Sequence, residues 1–134
     1  MSTEIEVDQD LAVVHFRDEV TLEAVESAVA ALCSHADFRP DLPTIWDFSS
    51  ALGGGLDRYQ MRRLALNAGE HRRGAGRPRV AVVAPKRSNF GGARMFSTVG
   101  ADAIHVDLGI FRERAPAQAW IAGHGDASPL GDAG

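Results

Sequence analysis

Cysteine is nearly absent from this sequence: Cys33 stands alone among 134 residues. An internal disulfide is therefore excluded, and so is a cysteine-rich zinc site. This removes the stapled secreted scaffold and leaves a cytoplasmic protein as the expectation. Lysine is as scarce, because thirteen of the fourteen basic residues are arginine and the exception is Lys86. No apolar run approaches the roughly 18 residues that a membrane-spanning helix needs. Residues 1–10 are acidic and polar, unlike a secretory signal. Heptads and internal repeats are missing as well. What is present is an ordinary folded composition, 45% hydrophobic and 24% charged, at a length that suits one domain. That domain is expected over residues 1–122. Residues 123–134 hold mostly Gly, Asp, Ser, Pro and Ala, which cannot offset their ordering entropy, and read as a flexible tail.

The net charge of −4 conceals a segregation. Residues 1–56 balance at −9, residues 57–94 at +8 and residues 95–134 at −3. If the basic middle segment is exposed after folding, the separation survives as a field. An acidic protein partner then suits it, as does the acidic part of a second copy of the chain in a homodimer. Nucleic acid suits it less, since only Tyr59 and Phe90 interleave with these bases and the whole chain is acidic. A membrane surface is not expected either, because the apolar stripe among these arginines is narrow and rich in alanine.

Apolar spacing sets out the elements. Glu4–Val7 and Leu11–Phe16 read as short strands joined by a tight turn at Asp8-Gln9-Asp10. Thr21 can cap a helix whose stripe is Leu22, Val25, Val29 and Leu32. Thr44–Phe48 is the next strand, followed by Ser49-Ser50 and Gly53-Gly54-Gly55, a loop expected to be mobile. Asp57 can cap a second helix with Met61, Leu64, Ala65 and Ala68 on its inner face. Its arginines, Arg72 among them, are placed mostly around the outside, and Gly74 and Gly76 are expected to end it. Val80–Ala84 fits a central strand covered on both faces. Ser88 or Asn89 can cap a third helix, Ile104–Leu108 alternates as an edge strand, and a last helix carries Ala119, Trp120 and Ile121. The order is β-β-α-β-α-β-α-β-α. It predicts a single mixed, mostly parallel α/β sheet of about five strands with about four helices.

This pattern resembles the STAS domain, the fold of the anti-sigma-factor antagonists and of the cytoplasmic tails of sulfate transporters. It is most similar to a bacterial branch of uncharacterised STAS-like proteins. The stretches that carry the resemblance are Pro43–Phe48, Val80–Ala84, Phe90–Phe96, Phe111-Arg112 and Ala119–Ile121. The resemblance implies a domain that binds another protein, with a phosphorylated hydroxyl after an acid at the start of the helix following the third strand. Here that place falls near Asp57, and the next residue is Arg58 rather than Ser or Thr. Kinase control is therefore not expected.

Two surfaces follow as candidates for function. The first is a partner-binding start of the second helix, formed by Asp57, Arg58, Arg62 and Arg63. The alternative is a pocket for a small, partly apolar ligand, between the loop carrying Asp47, Ser49, Ser50 and Gly54 and the helix carrying Phe90 and Phe96. The loop leaves the carboxyl end of a parallel strand, where α/β sheets often bind ligands. It lacks the lysine and spacing of a phosphate-binding loop. Aromatics at helical spacing are more often plain core. Catalysis is the least favoured class, because no nucleophile, base and orienting group stand together and no G-x-S-x-G occurs. His105 and Asp107 share a strand face at two-residue spacing, a weak metal pair for which a solvated face is the simpler account. No metal or cofactor is expected, and Cys33 reads as a small core residue.

Overall fold

A computed structural model describes residues 3–123. β1 (Glu4–Val7) and β2 (Ala12–His15) form the opening antiparallel hairpin, with Glu4 opposite His15 and Val7 opposite Ala12. The Asp8 carboxylate accepts from the backbone N–H groups of Asp10 and Leu11 at 2.8 and 2.9 Å, which shapes the turn. α1 (Leu22–Cys33) starts at Thr21, whose hydroxyl accepts from the Ala24 N–H at 3.1 Å. β3 (Thr44–Asp47), α2 (Arg58–Glu70), β4 (Arg79–Val83), α3 (Arg87–Val99), β5 (Asp107–Phe111) and α4 (Arg114–Ile121) follow. The five strands lie side by side in chain order, and every pair after the hairpin is parallel. This is the mixed α/β sheet that the alternation of periods predicts.

Strand alternation divides the core between two faces. Ala12, Val14, Phe16, Trp46 and Val80 point to the face under α1, α2 and α3. Val13, Ile45, Ala81, Val83 and Phe111 point to the other, where Ala117 and Trp120 of α4 cover them. Successive right-handed crossovers between strands laid down in chain order put the connecting helices on one face. α4 connects nothing further among the described residues and returns to the opposite one.

Several local expectations need correction. The last strand is Asp107–Phe111 rather than Ile104–Leu108. Ile104 and Val106 are buried, but His105 between them adopts a left-handed backbone with φ 55°, so the apparent alternation belongs to a turn. It follows that His105 and Asp107 do not share a strand face. α3 starts two to three residues early, with Lys86 at its N-cap and no side-chain cap bond from Ser88 or Asn89. α2 stops at Glu70, well before Gly74, and residues 71–74 form a turn. The expected tail, residues 123–134, lies outside the described residues apart from Gly123.

The glycine loop after β3 is stitched down rather than loose. Val20 N–H donates to the Gly53 carbonyl at 2.7 Å, Gly55 N–H to the Val20 carbonyl at 2.9 Å, and Leu52 N–H to the Asp18 carbonyl at 3.1 Å. Gly54 has φ +90°, and a Cβ there would stand 2.5 Å from the Val20 carbonyl oxygen. Glycine at this position permits a close backbone docking, which is a different task from supplying freedom.

Candidate functional site

The face beneath α1, α2 and α3 is incompletely filled. A cavity of about 180 Å³ lies between these helices and the sheet. Its floor is Trp46, Val80, Val82 and Leu108, and its roof includes Val25 and Val29 of α1, Leu64 and Ala68 of α2, and Gly92, Ala93 and Phe96 of α3. The sequence of α3 explains the space. Phe90 is its one buried residue, and Gly91-Gly92-Ala93 next to it bring almost no volume. Mid-helix glycine costs about 0.5–1 kcal/mol relative to alanine, and that cost is often met where a backbone must approach closely. Nothing approaches here, since a Cβ on Gly92 would meet no atom within 4 Å.

Three polar residues join the apolar lining: Arg72, Ser88 and Asn89. The Asn89 Nδ2 is buried with no hydrogen-bond partner. Arg72 is only 7% exposed, and the expectation that it sits on the outer circumference of α2 is wrong. Residue 72 lies four positions after Ala68 and seven after Ala65, so the spacing of the inner face, carried into the turn that follows Glu70, brings it inward. Its Nη1 donates to the carbonyls of Pro40 and Leu42, both at 2.9 Å, and its Nη2 to the Thr44 hydroxyl at 2.9 Å. The guanidinium also stacks 4.9 Å from the Phe38 ring centroid. Burial pushes its pKa down, opposed by Cys33 and Asp41. Cys33 is half-buried, and burial raises its thiol pKa, with Arg72 opposing. The spacing of Arg72 from Ala65 and Ala68 marks the inner face in the sequence, whereas its partners, backbone carbonyls some thirty residues away, leave no mark there.

Of the residues expected to form a ligand pocket, Gly54 and Phe96 line this cavity. Phe90 packs instead with Ala84 and Ile110 in the neighbouring core. Ser49 and Ser50 are exposed. Asp47 leaves β3 on the opposite face from Trp46 and binds Arg114 of α4 at 3.1 Å. Burial alone would raise the Asp47 pKa. Hydrogen bonds from the Ser49 side chain and backbone, together with Arg114, outweigh burial and hold the carboxyl below its usual range. Asp47 is thus an anchor for the start of α4.

The residues expected to meet a partner are drawn into the fold to different degrees. The Asp57 carboxylate accepts from the Gln60 N–H at 2.8 Å, and the Gln60 side chain accepts from the Asp57 N–H at 3.0 Å, a reciprocal capping box. Arg62 clasps both carboxylate oxygens of Asp102 and donates to the Val99 carbonyl at 3.2 Å. Arg63 lies 3.7 Å from Glu26. Arg58 is exposed, and so is its neighbour Tyr59, at 75%. Acidic residues of α1 and of the turn after α3 therefore answer part of the basic segment within one molecule. Among the described residues no group of three or more His, Cys, Asp or Glu is placed to hold a metal, and no helix is long and apolar enough to cross a membrane.

No protein-family model matches the chain, and no curated protein does. The architecture does have a relative in a solved structure, an uncharacterized protein of the DUF3478 family with a SpoIIAA-like fold from Shewanella loihica PV-4. The two superpose with a TM-score of 0.55 over 90% of this chain and 92% of that one, at 18% sequence identity. Strand order, helix placement and this superposition agree that the chain has a SpoIIAA-like, STAS-type α/β fold.

Proposed function

We propose that the protein is a non-catalytic binding domain that carries or senses one small, mostly apolar molecule in the cavity beneath α1, α2 and α3. The observation that carries this reading is the cavity itself, about 180 Å³ with a predominantly apolar wall. An apolar cavity of about 150 Å³ is already large enough to take benzene.

Gly92→Leu tests the reading, because it places a side chain into the open space. The variant is expected to gain about 1 kcal/mol or more of stability, from helix propensity and from filled volume. Native mass spectrometry of freshly purified wild type should show a small molecule released on activation, and Gly92→Leu should lack it. A clean unliganded mass for the wild type, with no uptake of small apolar compounds, ends the reading.

A second reading, a protein-binding surface at the first turn of α2, is favoured by the exposure of Arg58 and Tyr59. Arginine and tyrosine in adjacent exposed positions are the residue types that anchor interfaces. Arg58→Glu/Tyr59→Ala should remove a captured partner from a host-lysate pull-down while leaving the melting temperature within about 2 °C, as expected for surface substitutions. An unchanged set of captured proteins removes this surface from consideration. The same surface on a second copy would make a homodimer, which sedimentation of the wild type and this variant distinguishes from a heterologous partner.

A further inference from the structure

We propose that the occupant of the cavity is an anion, a small carboxylate with an apolar body, and that Arg72 receives its head. This rests on the reading of the cavity as a ligand site. Arg72 is a wall residue of that cavity and is almost wholly buried. All three of its hydrogen bonds go to neutral acceptors, the carbonyls of Pro40 and Leu42 and the hydroxyl of Thr44. None of the ion pairs among the described residues includes it. Cys33 and Asp41 act on it at longer range, but neither bonds to it, and the Asp41 carboxylate is exposed and pairs with Arg39 at 3.2 Å.

A guanidinium does not lose its proton in a protein. Arg72 is therefore a buried positive charge with three of its five donors spent on neutral acceptors and no ion pair. Taking an ion of this kind out of water costs several kcal/mol, and neutral hydrogen-bond acceptors offset that only in part. The depression of its pKa by burial is the same deficit seen from the proton's side. An anion at Arg72 would cancel it.

The donor geometry has room for one. Arginine offers five N–H donors. The bonds to Pro40 and Leu42 use Nη1 and the bond to Thr44 uses one hydrogen of Nη2. The Nε–H and the second Nη2–H take no part in them, and these two form the parallel edge that grips a carboxylate bidentately. The remainder of the wall, including Val25, Val29, Leu64 and Phe96, offers the ligand only apolar contact. By comparison with benzene, six non-hydrogen atoms in a cavity of about 150 Å³, the volume suits an acid of about seven non-hydrogen atoms.

Pentanoate and pentanamide match that size and differ in charge. Calorimetric titration of the full-length wild type should give pentanoate the tighter binding by about tenfold or more, the range of a charge-assisted pair. In Arg72→Gln the preference should shrink to within about threefold, with pentanamide unaffected. Arg72→Gln can fail to fold, so the wild type carries an independent readout. In a ¹⁵N spectrum of the arginine side chains, the Nε–H of Arg72 should shift with pentanoate and stay still with pentanamide. Equal binding of the two compounds, or a shift confined to exposed arginines such as Arg58, overturns the anionic head and leaves the apolar site standing. Binding of neither compound overturns both.

Discussion

Trp120→Ala is expected to destabilise the fold by about 3–5 kcal/mol, the largest effect of any single truncation on the α4 side of the sheet. Trp120 is 1% exposed and is the largest fully buried side chain. It meets Phe111 at a centroid distance of 5.6 Å, and the Arg79 guanidinium sits 5.0 Å above its ring. Gly109 shows how closely the ring fits, since a Cβ there would lie 2.8 Å from Trp120 Cζ3. α4 has only Ala117 as a second buried residue, so the indole supplies most of the area that holds this helix down. The indole Nε1 is buried without a partner. Trp120→Phe discards that unsatisfied donor and keeps much of the apolar bulk, and should cost about 1–2 kcal/mol. Urea denaturation measures both, and amide exchange localises them. Protection should fall first in α4 while α1 and α2, on the other face, keep theirs. A loss below about 1 kcal/mol for Trp120→Ala contradicts the packing described.

Arg72→Ala is expected to cost roughly 3 kcal/mol, with two opposing effects behind the number. Each hydrogen bond from a charged donor contributes about 1.5–3 kcal/mol, and three are lost. Against that, removing a buried cation abolishes several kcal/mol of desolvation. The loss wins because alanine leaves the Pro40 carbonyl without this donor, strips the Phe38 ring of its stacked partner and opens further space at the cavity wall. Leu42 is less affected, because its carbonyl also accepts from the Thr44 hydroxyl at 3.1 Å. Arg72→Met separates the two effects. It removes the charge and retains volume, so it should lose about half as much as alanine. Denaturant midpoints at neutral pH with unchanged slopes report the difference. If Arg72→Ala stays within about 0.5 kcal/mol of the wild type, Arg72 behaves as an ordinary surface residue and the account of its burial fails.

Local chemistry was legible residue by residue. Thr21 and Asp57 announced helix starts because a short oxygen-bearing side chain before an apolar stripe can take the free N–H groups of the first turn. The hairpin and β4 were legible for a similar reason, since both the alternation and the apolar run are properties of neighbouring residues. Errors arose where neighbours misled. Ile104 and Val106 are buried from a turn, so their spacing imitated a strand. The glycines at 53–55 imitated a loose loop because their docking partner, Val20, is more than thirty residues away in the chain. At Gly69 a Cβ would overlap the backbone of Ala103, a requirement that no helical pattern reveals.

The candidate site divides along the same line. Periodicity and capping, which are short-range, were enough to settle the alternating α/β order, the mixed sheet and the faces of the helices. The cavity arises where three helices and a sheet leave a gap at Gly92 and Ala93, and volume left over between distant elements is not a property of any one segment. Helical spacing from Ala65 turns Arg72 inward, but that a buried cation is tolerated there depends on which carbonyls come within reach. Only the tertiary structure decides such matters, because the free energy of a buried charge or an empty volume depends on what surrounds it in space and hardly at all on its neighbours in the chain.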